Sequence, residues 1–538
     1  MKMSDRQVKS EPLKYHMNSS KVGIESRIAD QSIPATSSID LFLRKYQSRI
    51  VASFCLYAAI RILIFSAAFP IFNPTDELLH FDLVHKYSRG YVVAPDLPLL
   101  DPEAARVITL YGSAEYLTRQ EALQSVHMDV PIATLPPELR AERYQHWFTY
   151  WMKRQNVEAH SPPMYYVIAS VWYRIGTGLG LKDWLLAYWV RFLNVIIYSI
   201  LVWISYVFVK NAFPDRDFLR LAVPALIAVF PQDVFFGINR AALSALLSAV
   251  TLLLLLRVLQ RKTAHPLLIG GGALCVGLAF LIDISNWVLF GVLAVILWVR
   301  FKRALQPPRG PELSAVLLGF LTAILPPALW MAHNYLALGD LTGTKAKTVA
   351  LGWTLKPWHE ILQHPIFSWH GLSYFLQALM RTYWRGEYRW HGSPMRLAVS
   401  DWFYVVSSYL LIVIVMVYLV LQRKSANDLH RLWGFLSLYL VTASALFLAA
   451  ISLPYDFHDC LYPSRLYPYF VSGRIISGTL LPFALLYASG LEVLFMQVRK
   501  WIHPAAALAA IMFFITVSEV IVRIDVFHSP FNFFALWS

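Results

Sequence analysis

Residues 51–81 read VASFCLYAAIRILIFSAAFPIFNPTDELLHF, an apolar run followed at once by Asp76, Glu77 and His80. The apolar part, residues 51–71, has the length of a helix that crosses the roughly 30 Å hydrocarbon core of a membrane. Ionisable side chains close to membrane depth are costly and usually mark a functional site. The stretch therefore predicts a membrane protein and the place where its chemistry lies.

The composition of the whole chain indicates the same class of protein. Of the 538 residues, 57% are hydrophobic and only 15% are charged, whereas soluble domains are about a quarter charged. Aromatic residues make up 15% of the chain, and many stand at the ends of apolar runs, as is typical of side chains at the membrane interface. These features predict an all-α polytopic membrane protein and exclude a soluble α/β enzyme.

The charge and the cysteines exclude further classes. The net charge of +14 comes from Lys and Arg in short loops between apolar runs, where cations set the orientation of a membrane protein and do not indicate a nucleic-acid partner. Cys55, Cys275 and Cys460 are far apart and predict neither a disulfide framework nor a cysteine-ligated metal. The sequence also contains no glycine-rich nucleotide loop, no H-E-x-x-H and no nucleophile elbow.

Twelve apolar segments succeed one another along the chain. They cover residues 51–71, 162–180, 185–209, 219–236, 241–256, 266–282, 287–299, 313–335, 402–421, 432–452, 474–495 and 504–525. If all twelve crossed the membrane, three basic clusters between residues 210 and 309 would lie outside, against the preference of cations for the cytoplasmic side. Segment 162–180 is interrupted by Arg174 and ends in GTGLG, and treating it as a juxtamembrane or re-entrant helix returns the clusters to the inside.

The resulting topology has about 11 spans, within a range of about 11–13. We expect a disordered cytoplasmic tail over residues 1–45, a transmembrane domain over 46–525 and a short C-terminal tail over 526–538. Within the first region, residues 39–50 suit a short interfacial helix. Two large outer loops, 72–161 and 337–400, carry juxtamembrane helices.

Polar residues at the span ends gather at the outer face in this topology. They are Gln232, Asp233, Asn239, Arg240, Asp283, Asn286, His333, Asn334, Asp340 and Arg474, together with Asp76 and Glu77. We therefore expect a polar cavity beneath the two outer loops. A helix starting at Pro74 would place Asp76 and His80 on one face, so that a carboxylate could serve as general base, with His80 orienting it or helping to hold a metal. Acidic residues in a first turn also simply favour the helix dipole, and Asp82 and His85 are expected at the surface.

Each outer loop contains a segment in which aromatic and basic residues alternate, at residues 144–154 and 380–395. Aromatic faces stack on sugar rings and arginine binds phosphate bidentately. His160, Arg385, Arg389 and Arg474 are therefore candidates to contact a sugar or a phosphate. Both segments are equally suited to lie among lipid headgroups, and Pro162–Pro163 after His160 suits a rigid junction. Arg474, at the start of a span, is equally suited to contact a lipid headgroup or to pair with a loop carboxylate.

Five short motifs, in this order, resemble the GT-C superfamily of membrane glycosyltransferases: NPTDELLHF, HSPPMYYVIAS, PQDVFFGINRAALSALL, AHNYLALGDLTG and SGRIISGTLLPF. The likeness is greatest to multi-span bacterial proteins similar to protein mannosyltransferases and to the aminoarabinose transferases of lipid A. This resemblance implies transfer of a sugar, with inversion, from a polyprenyl phosphate to a hydroxyl of a lipid, glycan or protein. It implies a site facing the periplasm or exterior of a bacterial inner membrane, with the N-terminus in the cytoplasm and a role in cell-envelope polysaccharide synthesis.

The resemblance implies that Asp76 is the catalytic base, with Glu77 the second candidate. The residues expected to contact substrate are His80, His160, Asp233, Asn239, Asn334, Arg385, Arg389 and Arg474. A divalent metal held by Asp76, Glu77 and His80 is left open.

Two positions depart from the family pattern, because relatives tend to carry an acidic residue where this chain has Arg240 or Ala241, and a lysine around Asp283. The departures keep open an inactive scaffold of polysaccharide assembly. A transporter or flippase of lipid-linked sugars is the other alternative, although the charges stop at one face and no internal repeat is apparent.

Cysteine labelling tests the topology. In a background without the three native cysteines, a cysteine replacing Lys182 is expected to react with a membrane-impermeant thiol reagent added from outside. A cysteine replacing Arg261 is expected to react only once the cytoplasmic face is opened. Labelling of the second position from outside would contradict the topology.

Overall fold

The structure is a computed structural model that describes residues 38–73, 76–116, 119–126, 128–261, 263, 265–304, 310–421, 428–460, 462–498 and 501–538. The described residues divide into two units, of which one ends at Ser48 and the other covers 49–538. Of the expected tail, residues 1–37 lie outside the described residues, as does Pro74, and residues 38–45 are helical. Apart from the helical residues 38–48, the features that follow belong to the second unit.

Helices account for almost all of the regular structure. In chain order they are α1 (Ser38–Ala68), α2 (Glu77–Ser88), α3 (Pro102–Tyr111), α4 (Gln120–Ser125), α5 (Pro137–Met152), α6 (Met164–Gly178), α7 (Asp183–Ala212), α8 (Asp217–Ala228), α9 (Ala241–Gln260), α10 (Pro266–Phe280), α11 (Leu289–Ala304), α12 (Gly310–Leu338), α13 (Thr344–Ala350), α14 (Trp358–Leu362), α15 (Trp369–Arg385), α16 (Ala398–Leu421), α17 (Asp428–Ser452), α18 (Leu480–Val498), α19 (Pro504–Arg523) and α20 (Phe533–Trp537). Short 3₁₀ turns lie at Ile132–Thr134, Asp233–Phe236, Ile284–Val288, Pro365–Phe367, Gly473–Thr479 and Ile524–His528. The strands are β1 (Thr354–Leu355), β2 (Arg389–Trp390), β3 (Ser393–Pro394) and β4 (Tyr455–Asp456).

Nine helices of the described ranges are long and apolar enough to cross a membrane, with mean hydropathies of 1.7 to 2.5. They correspond to α1, α7, α9, α11, α12, α16, α17, α18 and α19. The protein is therefore an all-α polytopic integral membrane protein, as the sequence predicts. A helix of about 20 residues is needed to cross the hydrocarbon core, and each of the nine is 19 residues or longer.

Three other apolar segments form shorter helices. Segment 219–236 gives α8, of 12 residues, and then a 3₁₀ turn, whereas segment 266–282 gives α10, of 15 residues. At 1.5 Å per residue these helices are about 18 and 22 Å long, less than the thickness of the hydrocarbon core. Segment 162–180, which we expected not to cross, gives α6, also of 15 residues.

The two ends of the predicted transmembrane domain differ from expectation. The separate interfacial helix expected over residues 39–50 is absent from the described part, because α1 runs without a break to Ala68. The expected C-terminal tail packs on the core instead, since Val526 is fully buried and Phe531 is 2% exposed. The ring centroids of Phe533 and Tyr188 are 5.3 Å apart.

Close helix packing brings the ends of distant segments together. Helix α9 packs against α7 and α10, and α10 packs against α12. A Cβ added at Gly277 would lie 2.5 Å from the carbonyl oxygen of Ala323, and one at Gly319 would lie 2.8 Å from Ile269. Small residues of this kind allow the backbones of membrane helices to approach closely.

The two large loops, which the sequence predicts at the outer face, are folded segments. Loop one contains α2 to α5, and an antiparallel bridge joins Leu99 to Gln155 near its two ends. Loop two contains α13 to α15, and its strand β1 pairs antiparallel with β4. Strands β2 and β3 form a hairpin whose turn residues, His391 and Gly392, have φ values of 48° and 74°.

Asp82 and His85 are buried, which corrects the expectation that they lie at the surface. Asp82 is completely buried, and its carboxylate accepts hydrogen bonds from Lys86, from the N–H of Asp101 and from the amide of Asn156. His85 is 7% exposed, and its ring hydrogen bonds to the hydroxyl of Tyr173. These contacts fix the later part of loop one, and α6, onto α2.

Three buried charges join α1 to α19. The guanidinium of Arg61 donates to both carboxylate oxygens of Glu519, at 2.6 and 2.7 Å, and to the carbonyl oxygen of Phe230 at 2.7 Å. Arg523 also donates to Glu519 and to the carbonyl oxygen of Pro231. The two arginines thus satisfy carbonyl groups that become free where α8 ends.

Removing the charge of Glu519 tests this anchor. The substitution Glu519→Gln leaves two buried guanidinium groups without an anion, and we expect the free energy of unfolding to fall by about 3–5 kcal/mol. The control is Val520→Ala, because Val520 lies on the same helix and is 44% exposed. Equal thermal midpoints of the two variants in detergent would contradict the prediction.

Candidate active site

Glu77 is held by four hydrogen bonds from the protein. Its side chain is 1% exposed and forms a two-pronged ion pair with Arg191 of α7, in which both N···O distances are 2.6 Å. The same carboxylate accepts the N–H of Phe72 at 2.7 Å and that of Ile238 at 2.8 Å. With each oxygen accepting two hydrogen bonds, Glu77 has little capacity left for a substrate.

Asp76 directly precedes Glu77 but is more exposed and has fewer hydrogen-bond donors around its carboxylate. It occupies the N-cap position of α2 in a left-handed conformation with φ of 62°. Asparagine and aspartate tolerate this conformation better than other residues with a Cβ. Its side chain is 33% exposed, and among the described residues only Arg474 contacts the carboxylate, through Nη2 and Oδ2 at 2.7 Å. Partial burial acts to raise its pKa, but Arg474 holds the pKa of Asp76 below its usual range. Asp76 is therefore ionised at neutral pH.

Arg474 links Asp76 to loop two. Its Nε lies 3.3 Å from the carboxylate of Glu387 and donates to the hydroxyl of Ser472 at 3.2 Å. That hydroxyl in turn donates to Glu387 at 2.5 Å. Nη1 of Arg474 forms no hydrogen bond with the residues that the structure describes, and the side chain is 19% exposed.

His80 lies one turn after Asp76 and is buried, with 1% exposure. Its Nε2 is 3.1 Å from the amide nitrogen of Asn239, whose oxygen accepts the N–H of Ala241. The amide therefore donates to Nε2, and Nδ1 carries the proton that is donated to the hydroxyl of Tyr166 at 2.8 Å. Burial lowers the pKa of His80 to about 4, so the ring is neutral at physiological pH.

A second carboxylate, Glu158 at the end of loop one, lies near His80 and is 3% exposed. It accepts hydrogen bonds from Lys347 of loop two, from Arg240 at 3.1 Å and from Ser161 at 2.6 Å. Burial acts to raise its pKa, but the two cations hold the pKa of Glu158 well below its usual range. Glu158 and Lys347 are absent from the residues singled out in the sequence.

Arg240 and Asp283, the two departures from the family pattern, contact each other. Nε of Arg240 donates to Oδ2 of Asp283 at 2.7 Å, while Nη1 of the same guanidinium reaches Glu158. Asp283 is 7% exposed and also caps the following 3₁₀ turn through the N–H of Ser285.

Asp233 lies beneath loop two, next to Gly386. Its Oδ2 accepts the N–H of Tyr388 at 2.8 Å, and a Cβ on Gly386 would lie 1.8 Å from Oδ1. Only glycine fits here, because φ of Gly386 is also +96°. Burial raises the pKa of Asp233 to about 7. This carboxylate positions the segment that carries Glu387.

The remaining candidates lie apart from Asp76 or have other contacts. Arg385 donates to Asp401 at 3.0 Å and to the carbonyl of Met395. Arg389 is exposed on β2. His160 and Asn334 flank Gly343 and are 2% and 0% exposed; within the described residues, Nδ1 of the former and Oδ1 of the latter have no hydrogen-bond partner.

The residues present do not fit the metal site that the sequence left open. Both oxygens of Glu77 accept protein donors, and both ring nitrogens of His80 are engaged. In the described part of the chain, no group of three or more His, Cys, Asp or Glu side chains is arranged to hold a metal ion.

Known proteins provide few comparisons. No family model matches the chain, and no curated protein matches it. Among solved structures, the oligosaccharyltransferase of Archaeoglobus fulgidus in a complex with Zn and sulfate is 13% identical, with a TM-score of 0.37 over 88% of this chain and 53% of that chain. The same enzyme tethered with an acceptor peptide is 12% identical, with a TM-score of 0.38 over 91% of this chain and 56% of that chain.

A third such structure, named AglB, is in complex with an inhibitory peptide and a dolichol-phosphate; it is 12% identical, with a TM-score of 0.37 over 91% of this chain and 56% of that chain. The chain spans 53–56% of the length of these proteins. Because the TM-scores are below 0.5, the activity of this chain has to be argued from its own residues.

Two signals in the sequence point to residues that the motif reasoning missed. Arg191 stands inside an apolar segment, where an ionisable residue needs a buried partner, and that partner is Glu77. Glu158 precedes His160 by two residues, at the point where loop one returns to the membrane. The cation that completes its site, Lys347, lies 189 residues further along the chain, and no local pattern connects the two.

The neutral state of His80 predicts a pH effect. Because its pKa is lowered to about 4 in the folded protein, from about 6.5 in an unfolded chain, its contribution to stability is present above about pH 6.5 and is lost as the pH falls towards 4. We expect the thermal midpoint of His80→Gln to depend less on pH between 7 and 4.5 than that of the unsubstituted protein. The control is His359→Gln, because the His359 side chain is 73% exposed. Equal pH dependence of all three proteins would contradict the neutral histidine.

Proposed function

We propose that this protein is an integral-membrane glycosyltransferase of GT-C type, with Asp76 as its general base. It moves a sugar from a polyprenyl-phosphate donor to a hydroxyl of a lipid, glycan or protein acceptor at the outer face of a bacterial inner membrane. The motif resemblance supports the class of reaction. The observation that carries the site assignment is the contact between a partly exposed, ionised carboxylate, Asp76, and a guanidinium with free hydrogen-bonding capacity, Arg474.

Asp76 has the properties that a general base needs. It is ionised at neutral pH, and its Oδ1 accepts no hydrogen bond from the described residues, so this oxygen is free to accept the proton of an acceptor hydroxyl. Glu77 lacks a free oxygen, because its ion pair with Arg191 and two backbone N–H groups occupy both oxygens. We therefore assign Glu77 a positioning role.

Arg474 supplies the group that stabilises the leaving phosphate. Its free Nη1 and partial exposure suit contact with a phosphate oxygen. Binding of the donor phosphate to Arg474 draws positive charge away from Asp76, so that the pKa of Asp76 rises and the carboxylate becomes a stronger base. The site thus becomes most reactive when the donor is bound.

The reaction proceeds as one displacement with inversion. The acceptor oxygen gives its proton to Asp76 and forms a bond to the anomeric carbon, while the bond from that carbon to the phosphate oxygen breaks. The electron pair of the broken bond leaves with the lipid phosphate, whose growing charge Arg474 stabilises. His80 stays neutral and holds α2 against α6 through Tyr166. No step requires a metal.

Removing the charge of Asp76 tests the proposal. In membranes supplied with radiolabelled polyprenyl-phosphate sugars and native lipid acceptors, we expect Asp76→Asn to lower the transfer rate by about 10²- to 10⁴-fold, the usual contribution of a general base. The matched control is Glu138→Gln, since Glu138 is an exposed carboxylate of loop one. Glu77→Gln is expected to lower the thermal midpoint, which Asp76→Asn leaves nearly unchanged.

Three results distinguish the alternatives. Undiminished transfer by Asp76→Asn would reject the base. Absence of transfer by the unsubstituted protein with every donor tested would favour the inactive scaffold. Movement of the lipid-linked sugar between leaflets without transfer would favour the flippase.

A further inference from the structure

A lateral groove with a volume of about 880 Å³ lies between α15 and α16. Most of its wall is apolar, with Leu372, Leu376, Val405 and Leu410 among the lining residues. The hydroxyl of Tyr409 donates to the carbonyl oxygen of Leu376 at 2.8 Å and ties the two helices together. A groove of this size accommodates a chain-like apolar group as well as a ligand of moderate size.

The groove opens where the headgroup layer of the membrane is expected. Its lining includes Trp369 and Trp402, which remain 84% and 68% exposed. Helix α16 is able to cross the membrane and begins at Ala398, at the C-terminal end of loop two. Tryptophan is enriched at the boundary between hydrocarbon and headgroups. The mouth of the groove therefore faces lipid.

Two arginines, Arg381 and Arg396, also line the groove. Neither forms a hydrogen bond or an ion pair with the residues that the structure describes. The carboxylate in the same lining, Asp401, is already paired with Arg385 at 3.0 Å. Arg385 neutralises Asp401, so Arg381 and Arg396 leave an excess of two positive charges, which suits a phosphate.

We propose that this groove binds one anionic glycerophospholipid of the surrounding membrane. The phosphate lies between Arg381 and Arg396, and an acyl chain follows the apolar wall. A membrane phospholipid satisfies both features, because the cations require an anion and an apolar wall open to the bilayer requires hydrocarbon. The bound lipid joins α15 to α16 and thereby holds loop two over the candidate active site.

The donor lipid of the proposed reaction needs a different position. Its phosphate has to reach Arg474, which contacts Glu387 just beyond the end of α15. Arg381 stands four residues before Arg385, or about 6 Å earlier along the helix. Asp401, the ion-pair partner of Arg385, lines the groove together with Arg381. Within the described residues, Asp76, Glu387 and Arg474 do not line the groove, so the groove is a separate site for a resident lipid.

A binding experiment with the full-length protein in neutral detergent tests this assignment. The probes are dioctanoyl-phosphatidylglycerol, which is anionic, and dioctanoyl-phosphatidylcholine, which is zwitterionic. The unsubstituted protein is expected to prefer the anionic lipid. The variant R381Q/R396Q is expected to bind the anionic lipid about thirtyfold more weakly, from the usual contribution of two basic residues to an anionic headgroup, with unchanged affinity for the zwitterionic one.

Two further variants keep the test decisive. R119Q/K182Q removes two exposed cations that lie outside the groove and outside segment 144–154, and it is expected to bind as the unsubstituted protein does. Val406→Trp fills the groove at a position that is 39% exposed and keeps both arginines, so it is expected to weaken binding even if R381Q/R396Q does not fold.

Equal affinity for the anionic lipid in the unsubstituted protein and the groove variants would overturn the proposal. So would displacement of the bound phospholipid by an equimolar polyprenyl phosphate, which would instead identify the groove as the donor site. Lipid binding is measured without sugar transfer, so this result and the result for Asp76 are independent.

Discussion

The ion pair between Glu77 and Arg191 is the constraint on which the candidate active site depends. Donors from three separate parts of the chain converge on one carboxylate: the guanidinium on α7, the N–H of Phe72 and the N–H of Ile238. Losing one partner of a buried pair costs about 3–5 kcal/mol, so arrangements that separate these segments are strongly disfavoured. Because Asp76 directly precedes Glu77, the position of the proposed base follows from the position of its buried neighbour.

The charged groups around Asp76 almost cancel one another. The carboxylates are Asp76, Glu158, Asp283 and Glu387, and the cations that contact them are Arg240, Lys347 and Arg474. Since this set carries one negative charge in excess, a donor phosphate does not meet a ready cationic pocket. It has to compete with a carboxylate for a cation, and at Arg474 that carboxylate is the proposed base. In the proposed reaction, donor binding and activation of the base are therefore linked by the charge balance of the site.

The sequence allowed the fold class to be predicted, because hydropathy is a local property. The role of Glu77 was hidden, since its partner Arg191 lies 114 residues away and their contact depends on packing. Hydropathy also predicted a span over 219–236. It does not detect the end of α8 at Ala228, where the guanidinium of Arg61 on α1 donates hydrogen bonds to the carbonyl groups left free. The contacts that sequence reasoning missed join residues far apart in the chain, and neither composition nor local pattern indicates such contacts.

Arg240 and Asp283, the two departures from the family pattern, form one ion pair with 2.7 Å between Nε and Oδ2. The resemblance suggests an acid near the first position and a lysine near the second in relatives. Exchanging both charges preserves a neutral pair, whereas exchanging one would leave two like charges buried together. The paired change is therefore poor support for an inactive scaffold. Its consequence is local: a guanidinium now reaches Glu158 and, with Lys347, keeps that carboxylate ionised beside the neutral His80.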